Sequence, residues 1–159
     1  GVIFTSGATE SNNLALFGAV EGSLADDQTR ITRPFVSAIE HSSVLATADR
    51  LAERFPWVRV ARLGVGADGG IDLEGLRVAL REGKGRALVA VIAANNETGV
   101  VQPVAAIGER ARAAGAWMHA DAVQALGECG KRVGGHERLL GWWFGNVTPL
   151  FSTGQDVTS

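Results

Sequence analysis

Seven consecutive residues, Ala87-Leu88-Val89-Ala90-Val91-Ile92-Ala93, are apolar without interruption. A strand can be apolar on both faces only where both are covered, as inside a parallel sheet sandwiched between helices. The remainder of residues 2–120 supplies the parts for such a sandwich. Strand patterns fall at 2–5, 34–39, 57–63 and 117–120, with Pro34 at a strand entrance. The stretch Val58-Arg59-Val60-Ala61-Arg62-Leu63 alternates as a half-exposed edge strand does. Helices are predicted between them. The first spans 10–21 with an apolar stripe of Leu14, Ala15 and Phe17, and the second is capped by His41-Ser42-Ser43 and runs to about Phe55. The third spans 72–80, and the fourth spans 103–114, opened by Pro103 and stopped by Gly115. This alternation predicts an α/β fold of three layers, α/β/α, around a mainly parallel sheet.

Composition narrows the partners. The 159 residues are 46% hydrophobic and 20% charged, enough for one buried core and too little charge for disorder. Fifteen basic against seventeen acidic residues give a formal charge of −2, so nothing favours nucleic acid or an anionic membrane. No apolar run is long enough for a membrane span. The single cysteine, Cys129, can make neither an internal disulfide nor a cysteine-based zinc site, which points to a reduced, cytoplasmic protein. The first residue is Gly1, opening straight into Val2-Ile3-Phe4, so the chain is expected to be a fragment. From Ala125 onward the alternation fails and Gly134-Gly135 and Gly141-Trp142-Trp143 appear without period. The break predicts a frameshift, misassembled gene or pseudogene fragment, with 127–159 as an aberrant tail.

Ligands of parallel sheets lie beyond the carboxyl ends of the strands. The loops at 6–10, 40–43, 94–99 and 121–124 are therefore the places to look for chemistry. Ser6-Gly7-Ala8-Thr9 opens a helix with small side chains, which suits a phosphate cradle, or an ordinary cap with Thr9 or Ser11 satisfying the first amides. His41 follows a strand and Glu40, as a packing residue or a catalytic one. Asn95-Asn96-Glu97-Thr98-Gly99 places two amides and a carboxylate where an ordinary loop needs one turn residue. Asp121 either begins a helix or aims a buried anion at a cationic ring. Two further patterns read as structural. Gly64-Val65-Gly66-Ala67-Asp68-Gly69 fits G-x-G-x-x-G, with Glu82 near the ribose-acid spacing, but follows an amphipathic strand and is cut off from the next helix by Asp68-Gly69-Gly70. His119, Asp121 and Glu128 have no second histidine nearby, since His136 falls in the tail, so no metal site is expected.

Five segments taken together resemble the cysteine desulfurases of the class V aminotransferase family. They are Ser6-Gly7-Ala8-Thr9-Glu10-Ser11-Asn12-Asn13, Ala38-Ile39-Glu40-His41-Ser42-Ser43-Val44, Asp68-Gly69-Gly70-Ile71-Asp72, Asn95-Asn96-Glu97-Thr98-Gly99-Val100-Val101-Gln102-Pro103 and His119-Ala120-Asp121-Ala122-Val123-Gln124. The resemblance covers 1–126 and implies part of the large domain of a fold-type-I transferase dependent on pyridoxal 5′-phosphate (PLP). It implies that Ala8 and Thr9 hold the cofactor phosphate and that His41 stacks on the pyridine ring and moves protons. It places Asn96, with Asn95 as alternate, near the ring hydroxyl, Asp121 on the ring nitrogen and Gln124 on the ring oxygen.

The reaction so implied takes sulfur from L-cysteine, leaving alanine and a persulfide for a sulfur-acceptor protein in iron–sulfur cluster or thiocofactor assembly. A homodimer is implied with it. The family also needs a Schiff-base lysine in a Ser-x-His-Lys motif and a nucleophilic cysteine. The only lysines are Lys84 and Lys131, neither in that motif, and Cys129 does not match the cysteine. The chain by itself is therefore expected to be inactive. Alternatives are a sister activity, such as selenocysteine lyase, kynureninase or an aminotransferase, or a non-catalytic PLP-binding or scaffolding protein.

Overall fold

A computed structural model describes residues 3–123 and, further along, the backbone of 139–142. Strands β1 (Ile31–Ser37), β2 (Ala61–Leu63), β3 (Arg86–Ile92), β4 (Trp117–Asp121) and β5 (Leu139–Trp142) form one sheet in the order β2-β1-β3-β4-β5. Every pairing is parallel. The uninterrupted apolar run is the central strand, β3. Its Leu88 and Ala90 face a core closed by helices α1 (Ala8–Gly22) and α2 (Ser42–Arg54), through Leu16, Val20, Val44, Ala48 and Leu51. Its Ala87, Val89 and Val91 face the opposite core under α3 (Leu73–Arg81) and α4 (Val104–Ala113), through Leu76, Leu80, Ile107 and Ala111. The three-layer α/β/α arrangement follows, because a strand's alternating side chains need a helix layer on each side.

Local chemistry sets the element ends. Asp72 caps α3 by accepting from the N–H groups of Glu74 and Gly75, both at 3.0 Å. Pro103 stands at the start of α4, whose end is turned by Gly115 at φ 66°. The G-x-G-x-x-G stretch closes on itself through Gly66 N–H to the Gly70 carbonyl (2.8 Å) and Gly69 N–H to the Gly66 carbonyl (2.9 Å). Gly69 has φ 76°, and a Cβ there would meet Val100 Cγ2 at 2.8 Å, so only glycine fits. These glycines build a turn, and α3 begins only after it.

Several expectations need correcting. Residues 3–5 are not a strand: Thr5 instead bonds the Gly7 carbonyl and Ser11, and Phe4 is 78% exposed. Apolar β-branched residues form a strand only where a neighbour pairs with them, and among the described residues none does. The buried stripe of α1 is Ala15, Leu16, Ala19 and Val20, whereas Leu14 points to solvent. Pro34 lies inside β1, opposite Leu88, one position before β2 joins at Phe35, so its missing N–H costs no bond to β2. A register shift between Ile31 and Arg33 lets Ile31 and Val36 share a face. The turn falls at Pro56 and Trp57, with Trp57 against Phe55 and Arg30; Arg59 N–H reaches the Thr32 carbonyl at 2.8 Å, and the strand itself is only Ala61–Leu63. Strand β5 was not expected from its glycine- and tryptophan-rich sequence.

In this order the chain leaves β1 toward β2 and returns to the other side for β3, a reversal that opens a crevice beyond the carboxyl ends of these strands. Ile92 and Asp121 stand in register there.

Candidate functional site

Helix α1 arrives at this crevice with its amino end open. Gly7 occupies the N-cap position in extended backbone (φ 167°, ψ 178°) and has no side chain to bond the first-turn amides. Ser11 Oγ is engaged with Thr5 Oγ1 at 2.6 Å, and Thr9 is exposed, so the cap reading of these residues is not realised. The Glu10 carboxylate turns back to the N–H (2.7 Å) and hydroxyl (2.6 Å) of Ser6, bonds that hold it below the usual carboxylate range. The amides of Ala8 and Thr9 stay available, at the positive end of a 15-residue helix.

Behind that end lies a chain of polar side chains. Asn12, wholly buried one turn into α1, donates from Nδ2 to Asp121 Oδ2 (2.9 Å) and Ser43 Oγ (3.1 Å). Its Oδ1 meets His119 Nε2 at 2.9 Å. Ser43 Oγ is 2.8 Å from Nδ1 of His41, which caps α2 by also accepting the Ser43 N–H at 3.2 Å. Asp121 Oδ1 accepts the N–H of Val123. The predicted His41 and Asp121, eighty residues apart, are thus joined through two intermediaries. His119 and Asp121 share the β4 face toward α1, as their spacing predicts.

Two buried groups titrate away from their ordinary values. Burial pushes the Glu40 carboxyl up to about 7, and the negative Asp121 adds to it. Hydrogen bonding from Ser37 and from the Ile92 N–H, which Oε1 accepts, pulls the other way, and among the described residues Oε2 is buried without a hydrogen-bond partner. Burial pushes His119 down to about 4, against the pull of Asp121, and among the described residues its Nδ1 has no hydrogen-bond partner.

The two asparagines after β3 separate cleanly. Asn95 is buried and committed: Oδ1 accepts from Glu97 N–H, Thr98 N–H and Thr98 Oγ1, and Nδ2 donates to the Ile39 carbonyl. Asn96 is exposed in the turn. Lys84 sits just before β3, at the opposite end of the sheet from Asp121. Gln124, Cys129, Lys131 and His136 lie outside the described residues.

The sequence gives Asn12 and Glu40 no role of their own, and Ser43 only a place in the cap of the second helix. A signal for Asn12 existed: it stands four residues before Leu16 and three before Ala15, on the stripe that α1 buries, where an amide needs partners.

A family model for class-V aminotransferases matches residues 1–131. A cysteine desulfurase of Cereibacter sphaeroides is 46% identical over 128 residues, 80% of this chain and 31% of that protein. The cysteine desulfurase IscS of Escherichia coli is 42% identical over 127 residues, 80% of this chain and 30% of that protein. The crystal structure of DndA from Streptomyces lividans is similar with a TM-score of 0.68 at 41% identity, covering 80% of this chain and 34% of that one. The chain therefore spans about a third of the length of the relatives it matches. With a match over more than four-fifths of its residues, the chain belongs to the class-V aminotransferase family.

Proposed function

We propose that residues 1–126 are part of the PLP-binding large domain of a cysteine desulfurase. The observation that carries this reading is the joining of Asp121 to His41 through Asn12 and Ser43 beside an uncapped helix N-terminus. An open α1 terminus suits a phosphate dianion, since neither a cap nor a neighbouring strand takes the Ala8 and Thr9 amides. Asp121, its carboxylate anchored by Asn12 and Val123, would face the pyridine nitrogen and favour a proton there. His41, exposed and held by Nδ1, would lie on the ring with Nε2 free to carry a proton. Asn96, rather than the committed Asn95, would meet the ring hydroxyl, and Gln124 the ring oxygen. When bound, PLP supplies an electron sink for the carbanion formed at the substrate carbon.

The substrate in this reading is L-cysteine, the product sulfur passes to an acceptor protein, and the complete enzyme is a homodimer. Lys84, at the far end of the sheet, favours a second reading in which the 159-residue chain by itself binds PLP without turnover.

Spectrophotometric titration of the purified chain with PLP tests the first step. Saturable binding that Asp121→Ala and His41→Ala weaken is expected. Absence of saturable binding by the unaltered chain overturns the reading.

A further inference from the structure

Asn12 uses every part of its amide. Both Nδ2 protons are spent, on Asp121 and Ser43, and Oδ1 receives His119. The alternative amide orientation would set Oδ1 against the carboxylate oxygen of Asp121, so the donors are fixed in direction. His119 Nε2 must then be the donor to Oδ1, which agrees with a neutral ring whose Nδ1 has no partner. Ser43 Oγ, already accepting from Asn12, has its own proton left for His41 Nδ1. Proton donation thus runs one way from His119 into Asn12 and on from Asn12 through Ser43 to His41.

We propose that Asn12 is a positioning residue that locks the Asp121 carboxylate with one amide proton and, through Ser43, holds His41 in the Nε2–H tautomer with the other. The role rests on the PLP-binding reading for its purpose, since it orients the group facing the ring nitrogen and the group lying on the ring together. Nδ1 of His41 accepts twice, from the Ser43 hydroxyl and N–H, which leaves Nε2 as the protonated, outward nitrogen of the neutral ring. Close by, Thr47 Oγ1, which donates to the Ser43 carbonyl at 2.6 Å, lies 3.0 Å from Asn13 Oδ1, a further polar contact between α2 and α1.

Asn12→Asp keeps the shape and removes the donor to Ser43, any proton the new carboxyl keeps being shared with Asp121. Ser43 would then donate to the new carboxylate and release His41 Nδ1. The test follows the ring nitrogens of His41 by 15N NMR in the full chain without cofactor, for Asn12→Asp, Ser43→Ala and the double variant. The expected result is an Nε2–H ring in the unaltered chain and a shift of the His41 signals in Asn12→Asp that disappears once Ser43 is already Ala. A merely structural role for Asn12 would disturb His41 whether or not Ser43 is present. If the Asn12→Asp chain does not fold, Asn12→Ala supplies the same comparison.

His41 signals that ignore Asn12→Asp, or that move equally with and without Ser43, overturn the proposal. PLP affinity is read separately and should fall roughly tenfold in Asn12→Ala, the usual effect of losing a hydrogen bond to a charged group. Failure of the unaltered chain to bind PLP would sink the functional reading while leaving the tautomer result to decide the relay.

Discussion

Glu40 reaches from the end of β1 to the backbone N–H of Ile92 at the end of β3, so a carboxyl group buried to 6% exposure bridges the two strands that frame the crevice. The bond spans 52 residues of sequence. It places a titratable group where water cannot solvate its charge, and stability should depend on pH accordingly.

The unfolded Glu40 titrates near 4.5 and the folded one at about 7. As pH rises above 4.5 the unfolded chain loses this proton while the folded chain keeps it, so stability falls until about pH 7 and is level above that. The gap corresponds to a loss on the order of 3 kcal/mol. Glu40→Gln keeps an acceptor for Ile92 and removes the titration. Urea unfolding at pH 5 and pH 8 should show the variant gaining on the unaltered chain as pH rises, and an unchanged difference would refute the assignment.

His119 should act in the opposite sense. Its folded value of about 4 lies below its ordinary 6.5, so protons enter the unfolded chain first as pH falls. Stability is full above 6.5 and drops toward pH 4, again by on the order of 3 kcal/mol. Between 4.5 and 6.5 the two groups offset each other, and His119→Gln should expose the Glu40 slope that the unaltered chain conceals. Parallel pH series of melting temperature for both variants check this.

Supplying the missing cap should trade binding for stability. Gly7 is extended, and a Cβ there meets nothing within 4 Å. Gly7→Asp is expected to stabilise α1 by a few tenths of a kcal/mol, the usual margin of Asp over Gly at an N-cap. The added carboxylate would take the Thr9 or Glu10 amide and set a negative charge at the helix end, so PLP should bind more weakly. Tighter PLP binding by this variant would contradict a phosphate site at α1.

Lys84 should be silent in cofactor chemistry. Borohydride reduction of the PLP-treated chain, followed by peptide mapping, is expected to leave Lys84 unmodified above the level of the denatured chain. Lys84→Ala should leave PLP affinity unchanged. The 159-residue chain should release no sulfide from L-cysteine beyond free PLP.

Much of the architecture was legible because it depends on local pattern. An apolar run at 87–93 needs two covered faces wherever it is placed, and Asp72, Pro103 and Gly115 act on their own neighbours within a turn. The loops holding His41 and Asn96 could be picked out for the same reason, as each follows a strand, whereas the predicted loop residue Asp121 is the last residue of β4.

What the sequence determined by itself was the alternation of strands and helices between α1 and β4, the apolar centre and the family motifs. Only the tertiary structure decided that residues 3–5 stay unpaired, that Asn95 is spent on its own turn, and that Asn12 stands between Asp121 and Ser43. Strand pairing and buried hydrogen bonds depend on which distant groups come within about 3 Å. Asn12 meets Asp121 across 109 residues and Ser43 across 31, separations that no helical or strand period encodes.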